Sequence, residues 1–186
     1  MKLFDKIRQS IGWFLLNKEV VKMHRNRFIS NIDDAKTIGI LYDASSEEIY
    51  NKVSEFVKYF QNKQKNVKAL GFVNFNQLPH YCFPKLTCDY FTKRDLNWYY
   101  KPTNSRVIDF INEEYDIMID LCMNDCFPLI YVSAVSKAKF KVGRYGEKYS
   151  DIYDFMLNVN NTISLEDYFK ETIHYLSIIN KNQDEQ

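Results

Sequence analysis

Apolar positions recur along this chain with two periods, and the alternation between them predicts the elements. Between residues 2 and 28, Leu3, Phe4, Ile7, Ile11, Phe14, Leu15 and Val21 follow at intervals of three, four and seven, the period of one helix face. Lys2, Lys6, Gln9 and Lys18 fall largely off that face, so the segment reads as a basic amphipathic helix. From Thr37 to Tyr42 the run is β-branched and apolar, the pattern of a buried strand. Ser45 with Glu48 predicts a capping box ahead of Ile49, Val53, Phe56, Val57 and Phe60, which repeat with helical period. Strand, turn and capped helix make a βα unit, and residues 66–75 supply a second strand that can return parallel to the first.

The remaining pattern predicts a third strand near 86–91 and a helix from about Ser105 to Glu114. A largely apolar strand over 115–121 carries Asp120 within its apolar run, and an apolar helix follows at 126–138. Strands over 139–143 and 153–159 precede a closing helix at 164–179, which Ser164 and Asp167 can cap. The alternation predicts a three-layer, Rossmann-like α/β domain over residues 31–180, with a mostly parallel sheet. Residues 1–30 are expected to form a basic amphipathic helical extension, and the polar residues 181–186 a disordered tail.

Composition agrees with one globular domain: 186 residues, 46% hydrophobic and 26% charged. The longest apolar runs, 11–16 and 127–135, fall short of the roughly 20 residues of a spanning helix. Asp5, Lys6 and Arg8 interrupt what would be a signal-peptide core, and the expected location is the cytoplasm, or the inner membrane's surface. Cys82, Cys88, Cys122 and Cys126 lack the spacing of a zinc site and read as free thiols, so no metal is expected. Charge is uneven. Residues 1–28 hold seven basic and two acidic side chains, a net +5, whereas the remainder has 18 basic and 22 acidic, a net −4. A basic segment on an acidic body feels phosphates and anionic lipids that the body repels.

In open α/β sheets a ligand crevice lies beyond the carboxyl ends of the strands, where strand order reverses. With strand order 3-2-1-4-5-6 that point brings residues 42–46 beside 120–125. The candidate ligand-binding residues are then Asp43, Ser45, Ser46, Asn124 and Asp125, with Asn74, Asn97 and Arg144 at neighbouring strand ends. Phosphate machinery is poor there. The turn reads YDASSEE without glycine, and Glu47 and Glu48 put negative charge at the helix start. No dinucleotide or P-loop motif occurs, and no cofactor is expected. Of the three histidines only His80, near Cys82, sits in a loop beside a possible nucleophile. In the loop 91–102, Lys93, Arg94 and Lys101 interleave with Trp98, Tyr99 and Tyr100, which can engage a partner or cover a sheet edge.

The stretch 115–146 resembles the strand–helix–strand of the acceptor-binding domain in heptosyltransferase-like glycosyltransferases. Tyr115, Asp116, Ile119, Asp120 and Leu121 match its first part, and Val142 and Gly143 its second. That resemblance implies fold more than activity, because the enzymes' Gly-Asp turn is absent and a second, donor-binding domain is not found after residue 186. As a whole the chain resembles a family of small bacterial proteins of unknown function with a DLNW loop, here Asp95 to Trp98. The expectation is a non-enzymatic module that engages a protein partner or the inner membrane surface. Its contact residues would be Lys2, Lys6, Arg8, Trp13, Lys93, Arg94, Asn97 and Trp98. A glycosyltransferase-related ligand-binding or enzymatic domain is the alternative, and a nucleic-acid or ribosome-associated factor the next.

Overall fold

Backbone groups in a sheet buried on both faces must pair with one another, and the long β-branched runs of this chain do so in parallel. The computed structural model describes residues 2–160 and 162–179; the expected tail, 181–186, lies outside them. Strands β1 (Thr37–Asp43), β2 (Asn66–Val73), β3 (Cys88–Thr92), β4 (Ile117–Asp120), β5 (Phe140–Arg144) and β6 (Phe155–Leu157) form one six-stranded sheet in the order β3-β2-β1-β4-β5-β6. Every neighbouring pair is parallel. The strand order reverses between β1 and β4, where Ile38 registers with Ile117 and Leu41 with Asp120.

Helices cover both faces. α2 (Glu47–Asn62) and α5 (Leu165–Ile178) pack over Ile38, Ile40, Tyr42, Ile117 and Ile119. On the other face α3 (Ser105–Asn112) and α4 (Phe127–Val135) meet Leu41, Leu70 and Met118. That division follows from the two-residue period of a strand. Gly39 belongs to the second face, and a Cβ there would stand 2.8 Å from the ring of Tyr115, so only glycine leaves that ring its place.

The amino-terminal helix α1 (Lys2–Val21) adds a further layer, lying on the outer side of α4. This explains why α4 is apolar all round: its nine residues are all buried, between the sheet and α1. α1 approaches through Leu16, which is 1% exposed, and through Gly12, where a Cβ would lie 2.6 Å from the Tyr99 carbonyl and 2.8 Å from the Phe127 ring. Glu19 accepts hydrogen bonds from Lys101, at 2.8 Å, and from the hydroxyl of Tyr131.

Three local expectations change. Ser45 does not cap α2: the N-cap residue is Ser46, and its side chain makes no capping bond. The Ser45 hydroxyl instead donates to Asp43 at 2.5 Å and accepts from the Asn74 amide at 2.8 Å, because a carboxylate at the strand end is the stronger acceptor nearby. The last strand shrinks to Phe155–Leu157, since the Tyr153 hydroxyl turns in to Asp120 and Asp154 is taken by Arg25. The third strand runs Cys88–Thr92, slightly later than its apolar run suggests. At α5 the Ser164–Asp167 cap forms as read, with the Asp167 amide donating to the Ser164 hydroxyl at 3.0 Å.

Lys141 in β5 is a buried cation, 2% exposed, whose ammonium donates to the Ala134 carbonyl at 2.9 Å. Burial first, and then the guanidinium of Arg25, push it down to about 7. The unfolded chain takes up this proton near 10.5 and the folded chain resists it until about 7, so the group removes stability as pH falls across that interval. Lys141→Met is expected to raise the melting temperature more at about pH 6 than at about pH 10, followed by circular dichroism. Equal shifts at both pH values would show that the folded chain does not resist the proton.

Candidate functional site

The carboxyl ends of the central strands open into a crevice of about 760 Å³. Asp43 at the end of β1, Asn74 after β2, Asn97 after β3, and Asn124 and Asp125 before α4 all line it, as the switch-point argument expects. Ser45 and Ser46 do not line it: Ser45 is turned into the Asp43–Asn74 bridge and Ser46 begins α2. Arg144 also lies elsewhere. It donates to the Met123 carbonyl and lines a neighbouring pocket of about 300 Å³. A wall missing from the sequence reading is α1 itself, which contributes Asp5, Arg8 and Gln9. No pattern in residues 2–28 announces this, because it depends on α1 crossing above residues some 90 positions later in the chain.

The crevice holds the carboxylates of Asp5, Asp43 and Asp125 with the cations of Arg8 and Lys93, and the carboxylates are already engaged. Asp43 Oδ1 accepts from the Ser45 amide at 2.9 Å as well as from its hydroxyl. Asp125 is held by Lys148 and by the Tyr149 hydroxyl at 2.5 Å, and these two contacts keep its carboxyl below the usual carboxylate range. Asp5 accepts from the Tyr100 hydroxyl at 2.9 Å, with Arg8 at 3.6 Å. Beneath the floor lies Asp120, 4% exposed, which receives the Tyr153 hydroxyl at 2.5 Å, the Cys122 amide at 2.9 Å and the Ser133 hydroxyl at 3.1 Å. Burial pushes its carboxyl up despite these donors. Glu47 and Glu48, in the first turn of α2, are not part of the lining, and Glu48 pairs with Lys52 at 3.0 Å.

The thiols of Cys82 and Cys122 are turned to backbone carbonyls. The Cys82 thiol points to the Ala44 carbonyl, 3.8 Å away, and burial pushes it up to about 11; His80 packs edge-on against Tyr81. Cys122 donates to the Asn124 carbonyl at 3.0 Å, and its thiol is pushed well up, first by its contact with Cys126 and then by burial. Among the described residues no group of three or more His, Cys, Asp or Glu side chains is placed to hold a metal ion.

The DLNW loop is built by its own polar residues. Asp95 accepts from the Thr92 amide at 2.7 Å, the Thr92 hydroxyl at 2.9 Å and the Asn104 amide group at 2.8 Å. Asn97 Oδ1 accepts from the backbones of Tyr99 at 3.1 Å and Lys101 at 3.0 Å, so its acceptor serves the loop and not a partner. These bonds hold Tyr100 at φ 69°, the left-handed region that costs an L-residue about 1–2 kcal/mol. Of the expected contact residues, Lys6, Lys93, Arg94 and Trp98 stand exposed. Arg8 does not: it donates to the Trp98 carbonyl and stacks 4.3 Å above the Tyr100 ring. Trp13 is half-buried, edge-on to Phe127 at 5.3 Å. The side chain of Lys2 lies outside the described residues.

Of the apolar face read in α1, Ile11 and Leu15 are half-buried and its other described residues are exposed. Phe4, Ile7, Phe14 and Val21 are 67%, 49%, 59% and 85% exposed. At 100° per residue Ile7, Phe14 and Val21 point almost directly away from Gly12 and Leu16. Lys6 flanks this line on one side, and Lys18 and Lys22 on the other. The two acids, Asp5 and Glu19, face inward to partners.

A family of unknown function, DUF6913, matches residues 8–179. The chain belongs to this family. The matched region begins inside α1 and runs past the end of α5, so it contains all six strands, the DLNW loop and most of the crevice. No curated protein and no solved structure matches the chain. Two residues of the glycosyltransferase resemblance serve the scaffold. Tyr115 packs beneath Gly39, and Asp116, at the amino end of β4, accepts from the backbones of Lys36 at 2.9 Å and Thr37 at 3.0 Å. Both lie at the end of the sheet opposite the crevice.

Proposed function

We propose that this protein is a non-enzymatic contact module that docks on an anionic membrane surface through the outer face of α1. The observation that carries the reading is the sorting of charge on that helix: both acids turn inward to hydrogen-bonded partners, while Lys6, Lys18 and Lys22 flank exposed Phe4, Ile7, Phe14 and Val21. Such a helix lies in the interface, with its apolar line among acyl chains and its lysines at headgroup phosphates. Lys18 already sits 4.3 Å over the Phe14 ring, a position from which its ammonium can reach outward. No helix among the described residues is long and apolar enough to cross a membrane, which suits a peripheral contact. The rigid attachment of α1 through Gly12, Leu16 and Glu19 gives the module a fixed orientation on the surface.

Sedimentation with vesicles tests this. The protein is expected to pellet with phosphatidylcholine vesicles containing roughly a third phosphatidylglycerol and to remain soluble with phosphatidylcholine alone. Each lysine near such a surface contributes about 1 kcal/mol, so Lys6→Gln/Lys18→Gln/Lys22→Gln lowers partitioning about 150-fold. Absence of binding to the anionic vesicles overturns the reading. So does a dimer in light scattering that Phe14→Asp dissolves, which would assign the same face to a second copy. Steeply salt-dependent binding to RNA in place of vesicles would assign the lysines to nucleic acid.

A further inference from the structure

We infer that the crevice beneath α1 is a binding site for a neutral, hydroxyl-rich small molecule of about the size of a mono- or disaccharide. This goes beyond the docking of α1, whose outer face takes no part in it. The site lies at the switch point of a parallel sheet, its volume of about 760 Å³ falls within the range of small-molecule sites, and an apolar wall faces its polar groups. Phe72, Leu96 and Phe127 belong to that wall.

The chemistry of the uncommitted groups selects the ligand. The side-chain amides of Asn74 and Asn124 make no hydrogen bond to protein among the described residues, and Asn97 keeps its amide nitrogen unused there. One Asp43 oxygen, Oδ2, likewise accepts nothing there, while Oδ1 is fixed by Ser45. An amide both donates and accepts, as a hydroxyl does, and a carboxylate oxygen accepts from a hydroxyl. Amides and a carboxylate aimed into one space therefore match a molecule whose every polar group is a donor and an acceptor together. Anionic ligands fit less well: Asp5, Asp43 and Asp125 line the crevice, and of the two cations there Arg8 is committed to Asp5, to the Trp98 carbonyl and to the Tyr100 ring, which leaves Lys93 alone to meet an anion. No glycine-rich turn lets backbone approach a phosphate.

The geometry also joins the site to α1. Arg8 and Asp5 contact Tyr100, which lines the crevice with them, so the helix forms one wall of it. A ligand that contacts that wall stabilises the attachment of α1 by simple linkage.

Ligand-observed NMR with glucose, N-acetylglucosamine and myo-inositol, against inorganic phosphate and adenosine monophosphate, tests the assignment on the full chain. Saturable binding is expected for at least one polyol and for neither phosphate compound. Asn124→Ala and Asn74→Ala remove exposed side chains that hold no part of the fold, and each is expected to weaken the polyol about tenfold. Lys6→Gln/Lys18→Gln/Lys22→Gln is expected to leave polyol binding unchanged, which separates this site from vesicle docking. Three results overturn the inference: no saturable polyol binding, phosphate binding in its place, or polyol binding that neither asparagine variant weakens.

Discussion

Phe169→Ala is expected to lower the stability of the fold by about 3–5 kcal/mol, and the melting temperature by roughly 6–20 °C. Phe169 is 5% exposed and stacks on Phe56 with ring centroids 3.8 Å apart and planes 8° from parallel. It meets Phe60 edge-on at 5.6 Å and Tyr59 edge-on at 5.7 Å, so one ring joins α5 to three positions of α2. Removing it deletes both the buried ring and the partners' contacts with it, and neighbouring helices on a sheet cannot collapse far into the space. Urea unfolding measures the loss, with an unchanged slope showing that the unfolded state is the same. Phe169→Leu should recover much of it. A loss below about 1 kcal/mol would mean that α5 does not pack on α2 as described.

Asp120→Ala is expected to cost about 3–5 kcal/mol by a different route. The carboxylate collects the hydroxyls of Tyr153 and Ser133 and the amide of Cys122, and each becomes a buried donor without an acceptor when it is removed. The hydroxyl of Tyr153 has only the Ser133 oxygen, 3.4 Å away, to fall back on. Ionisation of Asp120 has the opposite sign to that of an exposed ion pair. Burial raises its folded-state value above 3.8, so the stability it contributes is full below 3.8 and falls as pH rises through the elevated value. Asp120→Asn cannot ionise and should therefore lose less stability relative to wild type as pH rises from about 4 toward 7. Asp116 gives an internal contrast. Burial alone would raise it, but the ammonium of Lys139 and the backbone amides of Lys36 and Thr37 hold it at about 2, so its contribution is lost only as pH falls from 3.8 through about 2. A difference between wild type and Asp120→Asn that does not change over this range would show that the buried carboxylate is not penalised.

The site residues divide by how far their positions rest on local sequence. Asp43, Asn74, Asn97, Asn124 and Asp125 were legible as a group because each follows a run of strand-forming residues and parallel pairing brings all such ends to one edge. Ser45 was misread because a capping box is only a spacing, and whether the hydroxyl faces its own helix or the next strand depends on where Asn74 lies. Arg8 and Trp13, read as free contact residues, were spoken for by Trp98 and Phe127, partners 90 and 114 positions away.

By itself the sequence determined the elements, their parallel assembly and the carboxyl edge where a crevice opens. It could do so because strand and helix periods, two-sided burial and the handedness of βαβ crossovers are set by nearest neighbours and chain chirality. Only the tertiary structure decided which side of α1 is buried. The apolar repeat of Phe4, Ile7, Phe14 and Val21 carries the stronger periodic signal, yet the helix docks through Gly12 and Leu16. Close packing rewards shape, and the absence of a side chain at Gly12 admits the Tyr99 carbonyl and the Phe127 ring, while the Glu19 carboxylate finds Lys101 and Tyr131 on loop and helix far along the chain. A hydrophobic pattern records which residues avoid water on average; which of them a given surface covers is decided by complementarity between segments distant in sequence.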